Sequence, residues 1–322
     1  MDKNPPLVTI AIPTFNRADT YLVPALESAL SQTYPNIEII VSDNCSTDHT
    51  ELVVKRFNDK RIRYVKQEKN IGGANNSNYC LEQAKGVYFT QLHDDNLMDP
   101  DFIESCMRAV HFSHDVGIIR TGTRWIDSQG HVLKELPNMG GGLPLDAFFR
   151  AYFSQKAPMY LCSTLFNTAR IKELGGFHSK HNLLEDVIAD VKIGAKYGRQ
   201  DIQEMKASFR KHDSEMTWAA KVSDWCEESL ILIDLMCDLA PTNKNRVRAE
   251  GMRAMSSFMY QFARKIQSPR ERVIAYGHIF KTFEYKQFPP SINRLIYSNI
   301  FIRGLRFLKR RLSAKLEFSK IN

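Results

Sequence analysis

Residues 86–100 read "GVYFTQLHDDNLMDP", a short apolar run that ends abruptly in His93-Asp94-Asp95-Asn96. The first half has the composition of a buried strand, rich in β-branched and aromatic residues. Two adjacent carboxylates at the end of such a strand suit a hard divalent cation. Mg²⁺ and Mn²⁺ prefer oxygen ligands, take one or two carboxylates, and share the rest of their shell with phosphate and water. An acidic turn that opens the helix after Pro100 accounts for the same pair, so the segments upstream must decide.

Working back from Gly86, the chain alternates strand and helix. "LVTIAIP" (7–13) is a short β-branched run bounded by proline, and "YLVPALESALSQT" (21–33) has helical spacing. "IEIIVSD" (37–43) is a second strand, and Ser46-Thr47-Asp48 precede a helix reaching about Phe57. "RIRYV" (61–65) is a third strand, and "NIGGANNSNYCLEQAKG" (70–86) is a glycine-rich turn entering a helix. This β-α-β-α-β-α-β order predicts a parallel sheet covered on both faces. Ligands of such sheets bind beyond the carboxyl ends of the strands. "PTFNR" (13–17), "SDNCSTD" (42–48) and "HDDN" (93–96) all fall there. Three polar clusters distant in sequence are therefore expected in one crevice.

Downstream, "VGIIRTGTRWIDSQGHVLKEL" (116–136) reads as strands around a turn, and "MYLCSTLFN" (159–167) is strand-like. "NMGGGLP" (138–144) reads as a flexible loop, either a lid over the donor or a plain surface loop. "LLEDVIADVKIGAKYG" (183–198) is helical, and helices are expected over 217–239, 242–267, 269–284 and 291–317. The expected division is a catalytic domain over 1–212 and a helical region over 213–322.

The segments "VTIAIPTFNR", "ALSQTYPNIEIIVSDNCSTDHT" and "KNIGGANNSNYCLEQAKGVYFTQLHDDN" together resemble the donor-binding half of glycosyltransferase family 2. The resemblance is dense from residue 7 to about 110. It thins through "RIKELGGF" (170–177), "LLEDV" (183–187) and "FRKH" (209–212). It implies an α/β, Rossmann-like GT-A fold with a mostly parallel central sheet, and an inverting nucleotide-sugar transferase. By that resemblance Pro13, Thr14 and Phe15 line the nucleotide pocket with Arg17 nearby. Asp43 and Asn44 match the pair that contacts the base, with Asn44 replacing the usual Asp, so UDP, dTDP and GDP donors all stay open. Asn78 matches an Asn on the helix before the fourth strand. Asp94 is expected at the ribose or the metal, and Asp95 at the metal. His93 and Asn96 stand where the family has further carboxylates, which implies weaker binding of Mn²⁺ or Mg²⁺. Asp186 matches the catalytic base, and Glu185 orients the base or the acceptor. His212 is a further metal ligand or a contact to the diphosphate, with Arg210 beside it.

Composition narrows the alternatives. The 322 residues are 43% hydrophobic and 25% charged, an ordinary globular balance. The six cysteines show no C-x-x-C or zinc spacing, which suggests reduced thiols in a cytoplasmic setting. "MDKNPP" has no apolar core of a signal peptide, and no apolar run is long enough to span a membrane. The net charge of +8 is concentrated in "FIRGLRFLKRRLSAKLEF" (301–318). There Phe301, Leu305, Leu308, Leu312 and Leu316 share one side of a helical wheel and Arg303, Arg306, Arg310 and Arg311 fall mostly on the other, the pattern of a membrane-interface helix, or of a helix packed on its own domain with a solvated basic face. No nucleic-acid-binding motif accompanies this charge. A lipid-linked glycan acceptor at the inner membrane face, in O-antigen, capsule or other surface polysaccharide synthesis, is what the resemblance implies. The degenerate "HDDN" also admits an inactive nucleotide-sugar-binding scaffold. A nucleotidyltransferase would need a glycine-rich phosphate loop that "PTFNRADT" lacks.

Overall fold

A computed structural model describes residues 5–212, 220–284 and 287. The segment 301–318 lies outside the described residues. The described chain forms two compact units, one of 5–212 with 228–251, the other of 220–227 with 252–284 and 287.

The first unit begins with β1 (Val8–Thr14), α1 (Leu22–Leu30), β2 (Ile37–Asp43), α2 (Thr50–Lys55), β3 (Ile62–Lys66), α3 (Gly73–Gln83) and β4 (Tyr88–Gln91). Then follow β5 (Leu97–Met98), α4 (Phe102–Ala109), β6 (Ile118–Ile126), β7 (Val132–Leu136) and α5 (Leu145–Phe153). β8 (Thr164–Asn167), α6 (Thr168–Glu173), α7 (Glu185–Tyr197) and β9 (Arg199–Arg210) complete the run to the end of the sheet. The helices α8 (Val222–Leu239), α9 (Lys244–Ala263) and α10 (Pro269–Thr282) come last, and the unit limits fall within α8 and α9.

The strands form one sheet in the order β3-β2-β1-β4-β8-β6-β9-β5, with β7 on β6. The expected parallel sheet is its first half: β3, β2, β1 and β4 all run parallel. From β4 onward the sheet is mixed. β8 is antiparallel to β4 and β6, β9 is parallel to β6, and β5 is antiparallel to β9.

The period of two in a strand builds two cores from one run. Ile10, Ile12, Ile39 and Val41 pack with Leu22, Leu26, Phe102 and Met107 of α1 and α4. Ala11 and Ile40 point the other way, to Cys80, Leu81, Ile171, Ala189 and Ile193 of α3, α6 and α7. Because both faces are covered, these strands read as continuous apolar runs.

β9 is the element the sequence does not announce. "RQDIQEMKASFR" has no sustained alternation, yet it pairs with β6 over Ile118–Ile126 and takes up β5. Its pairing partners, distant in sequence, make it a strand. The 138–144 loop also departs from the flexible reading. Arg199 donates to the carbonyls of Gly140 and Leu143, and Asn138 Nδ2 donates to Asp201 Oδ1 at 2.9 Å. Those bonds fix the loop to β9.

In the second unit Trp225 packs edge-on to Phe258 at 5.9 Å between ring centroids, and Tyr260 packs edge-on to Tyr276 at 5.3 Å. No helix among the described residues is long and apolar enough to cross a membrane.

Candidate active site

The parallel strands end in loops that are tied to one another. Asn16 adopts a left-handed conformation (φ 53°), and its side-chain oxygen accepts the Thr47 N–H at 2.9 Å. The Asn16 N–H donates to Ser46 Oγ at 2.8 Å, and Ala18 N–H donates to Asp48 Oδ2 at 3.1 Å. Asp48 Oδ1 accepts the Thr50 N–H at 3.0 Å, so it also serves the start of α2. The loops after β1 and β2 thus form one rim. Phe15 on this rim is 41% exposed, open enough for a ring to stack on it.

Asp43 and Asn44 lie beneath the rim, both buried. Asp43 accepts the Ser46 N–H at 2.8 Å and the Tyr64 hydroxyl at 2.6 Å. Asn44 Oδ1 accepts the Ile71 N–H at 2.8 Å, and its Nδ2 donates to Asn70 Oδ1 at 3.0 Å. Both side chains brace the loops that follow β2 and β3. Asn78 is not brought to this rim. Its Nδ2 donates to the Phe177 carbonyl at 2.8 Å and its Oδ1 accepts the Phe177 N–H at 2.8 Å. This two-way clamp holds the segment before α7.

Asp94 is buried against the rim. Burial, with the like charge of Asp95, pushes its carboxyl up to about 6, against the pull of Thr14, Arg17 and the Phe15 backbone. Its two neighbours in sequence are occupied differently. His93 Nε2 lies 2.9 Å from Gln91 Nε2, and burial lowers the imidazole pKa against the pull of Asp95. Asp95 turns outward to meet the end of β9.

There the structure joins two residues that stand 117 positions apart: His212 Nε2 lies 3.0 Å from Asp95 Oδ2. β5 makes this possible by pairing Leu97 with Ser208 and Met98 with Ala207. Arg210 secures the turn, donating from its backbone N–H to Asn96 Oδ1 at 2.9 Å and from Nε to the Asp95 carbonyl at 2.8 Å. Its guanidinium lies 4.5 Å from the Tyr21 ring centroid, and the same ring is 5.4 Å from the imidazole of His212. Among the described residues no three His, Cys, Asp or Glu side chains form a ready cage for a metal. The Asp95–His212 pair nonetheless fits an ion that takes few protein ligands and completes its shell with diphosphate oxygens and water. An imidazole in the pair suits Mn²⁺ better than Mg²⁺.

Glu185 and Asp186 occupy the first turn of α7. Asp186 Oδ1 accepts the Val187 N–H at 2.7 Å. Burial, then the charges of Glu185 and Asp190, pushes the Asp186 carboxyl up to about 7. Glu185 is raised in the same sense by burial and by Glu228. Glu185 Oε2 and Glu228 Oε2 are both buried without a hydrogen-bond partner. The other Glu228 oxygen accepts the His181 N–H at 2.5 Å. Burial raises the Cys162 thiol pKa, and the charges of Asp95 and Asp186 both add to it. Tyr152 is raised by burial and by Asp186, Tyr160 and Asp190 together. Tyr21, Tyr152 and Glu228 carry no sequence signal: each sits in an ordinary helical or loop context and gains its place from packing alone.

Residues 9–158 match the family model described as Glycosyl transferase family 2. Among curated relatives, the chondroitin synthase of Escherichia coli is 34% identical over 41% of this chain and 19% of its own length. An uncharacterized glycosyltransferase of Rickettsia typhi is 39% identical over 40% of each chain. One from Methanocaldococcus jannaschii is 32% identical over 42% of this chain and 47% of its own. The chain thus spans less than half the length of each of these relatives. Among solved structures, S. aureus TarS 1-349 in complex with UDP-GlcNAc superposes with a TM-score of 0.67 at 18% identity, over 86% of this chain and 81% of that one. The mannosyltransferase PcManGT of Pyrobaculum calidifontis, in complex with GDP-Man and Mn²⁺, gives 0.53 at 19% identity, over 88% and 82%. The mixed sheet with its covering helices is accordingly the GT-A fold, and the segment 9–158, which carries the rim and the "HDDN" turn, matches the glycosyl transferase family 2 model.

Proposed function

We propose that the protein transfers a sugar, with inversion, from a nucleoside-diphosphate sugar to a glycan acceptor in the synthesis of a surface polysaccharide. The observation that carries this reading is the meeting of His212 with Asp95 at 3.0 Å, beside a rim shaped for a nucleotide. The names of the relatives, glycosyltransferases and a chondroitin synthase among them, support it.

Pro13, Thr14, Phe15 and Arg17 hold the nucleotide, on loops braced by Asp43 and Asn44. Asp94 faces the ribose side of the rim. Asp95 and His212 would hold a divalent cation, which would supply Lewis-acid stabilisation of the leaving diphosphate. Asp186 takes the proton of the acceptor hydroxyl as its oxygen bonds to the anomeric carbon. The bond from that carbon to the diphosphate breaks on the opposite face, and its electron pair leaves with the phosphate. A carboxyl pushed up to about 7 is matched to this proton transfer near neutral pH. Glu185, with an unpartnered oxygen, orients the acceptor. The acceptor is lipid-linked and the enzyme works at the inner membrane face, a reading that rests on the amphipathic basic pattern of 301–318.

The test is a thermal-shift series with UDP, dTDP, GDP and CMP, each with Mn²⁺, Mg²⁺ or EDTA. A ligand that binds only the folded state raises Tm. One nucleoside diphosphate is expected to raise it with a divalent cation and not with EDTA, and Asp95→Ala is expected to remove the difference. No shift with any nucleotide would overturn the reading.

A further inference from the structure

Tyr21 carries α1 to the Asp95–His212 pair. Its carbonyl accepts the Ala25 N–H at 3.1 Å, and Leu22, Ala25 and Leu26 are buried, so the first turn of α1 fixes its backbone. Its ring meets two side chains from the end of β9 and the residues just after it. The Arg210 guanidinium lies 4.5 Å from the ring centroid. The His212 imidazole lies 5.4 Å away, with the two ring planes 33° apart.

Arg210 is a firm support for that ring. It is buried, its Nε donates to the Asp95 carbonyl at 2.8 Å, and its Nη1 donates to the Asp127 carbonyl at 2.8 Å. The Lys211 N–H donates to the Ile126 carbonyl at 2.8 Å, which holds the backbone just before His212. Backbone bonds alone leave the side-chain torsions of His212 open. The Tyr21 ring, anchored by α1 and by its cation–π contact to Arg210, gives the imidazole a wall to pack on. In that position His212 Nε2 lies 3.0 Å from Asp95 Oδ2.

From these contacts we infer that Tyr21 is a positioning residue, which holds the His212 imidazole in the orientation in which His212 and Asp95 take one divalent cation. The inference rests on the reading of Asp95 and His212 as cation ligands given above. A side chain already set in its binding orientation loses less rotamer freedom when its ligand arrives. A site with two protein ligands has little else to offset a misplaced imidazole. Partners that orient a metal-bound imidazole are worth about 10–100-fold in metal affinity. Tyr21 acts through His212 in this way. It also ends the loop that carries Phe15 and Arg17, so one residue joins the rim to the cation pair.

The experiment is a titration of the full chain with Mn²⁺ alone, followed by NMR of isotope-labelled histidine rings. The chain has nine histidines, and the His212 signal is assigned by its loss in His212→Gln. A paramagnetic ion broadens the protons nearest to it, so this signal reports a cation at this place. In the wild-type protein it should broaden before the other histidine signals, and Asp95→Ala should abolish that preference. Tyr21→Phe keeps the ring and should behave as the wild type does. Tyr21→Leu keeps apolar bulk without a ring face and should need about tenfold more Mn²⁺. Melting curves without metal check that each variant is folded, and Tyr21→Met, which packs readily, repeats the test if Tyr21→Leu melts early. Broadening of His212 in the Leu or Met variant at the wild-type Mn²⁺ concentration would overturn the positioning role and leave the cation site standing. Equal weakening in Tyr21→Phe and Tyr21→Leu would assign the effect to the hydroxyl and overturn the ring-packing argument. No preferential broadening in the wild type would remove the cation reading of Asp95 and His212, and the role of Tyr21 with it.

Discussion

Asp186 occupies the first turn of α7, where two effects on its pKa oppose each other. The positive end of the helix favours the carboxylate by about 0.3–1 kcal/mol, less than one pKa unit. Burial disfavours it by up to several units. Burial wins, and the neighbouring charges of Glu185 and Asp190 add to it, bringing the group to about 7. If Asp186 is the base, kcat/KM climbs about tenfold per pH unit below that value and levels above it. Asp186→Asn should flatten the profile and lower transfer by about 10²–10⁴-fold, which a pH series with both proteins checks. The same shift has a stability sign. The folded pKa lies above the unfolded one, so the contribution is present at low pH and is lost as pH rises through about 7. Asp186→Asn should therefore raise Tm at pH 8, by about 4 kcal/mol or several degrees, and change it little only near pH 4, close to the unfolded pKa, as paired melting curves would register. The "LLEDV" pattern made Asp186 legible in the sequence. The unpartnered Glu228 oxygen beside its neighbour Glu185 was not, because α8 reaches the site only through tertiary packing.

At the scale of elements, α7 is placed by the segment before it. Gly176 has φ +86°, and a Cβ there would lie 2.5 Å from Asn78 Oδ1, the atom that accepts the Phe177 N–H. Phe177 in turn packs edge-on to Phe166 at 5.4 Å and tilted to Phe89 at 6.1 Å. Gly176→Ala must strain the backbone and displace the clamp together, so a loss of about 1–3 kcal/mol in urea unfolding is expected. Asn78→Leu should cost a similar amount, because it leaves the Phe177 amide groups without their partner. The "GGF" of the sequence offered the glycines, but only the packing shows that Gly176 is required by Asn78 rather than by the turn alone.

At the scale of the whole first unit, one buried charge cluster ties the mixed half of the sheet together. Arg120 is fully buried. It donates to Asp201 Oδ1 at 2.6 Å and lies 3.6 Å from Asp190 of α7. Arg199 also pairs with Asp201, and the two guanidinium groups lie 4.5 Å and 4.0 Å from the Phe148 ring of α5. The cluster joins β6, β9, α5, α7 and the 138–144 loop. Removing one partner strands an opposite charge in a dry environment, a loss of about 3–5 kcal/mol. Asp201→Ala is expected to destabilise the protein by that amount in urea unfolding. Asp201→Asn should cost less, because the amide oxygen still accepts from Arg120.

The sequence by itself determined the parallel half of the sheet and the polar clusters on its strand ends. Local apolar runs, helical spacing and turn residues act over a few positions, and there every local preference agrees with the final fold. Tertiary structure decided the rest. β9 has no strand pattern of its own and exists because β6 and β5 supply its hydrogen bonds. That pairing sets His212 against Asp95, fixes a loop whose glycines suggested mobility, and lines up Lys134, Trp125 and Phe209 across three strands. Such contacts depend on register between segments far apart in the chain, and register is chosen by the packing of the whole sheet.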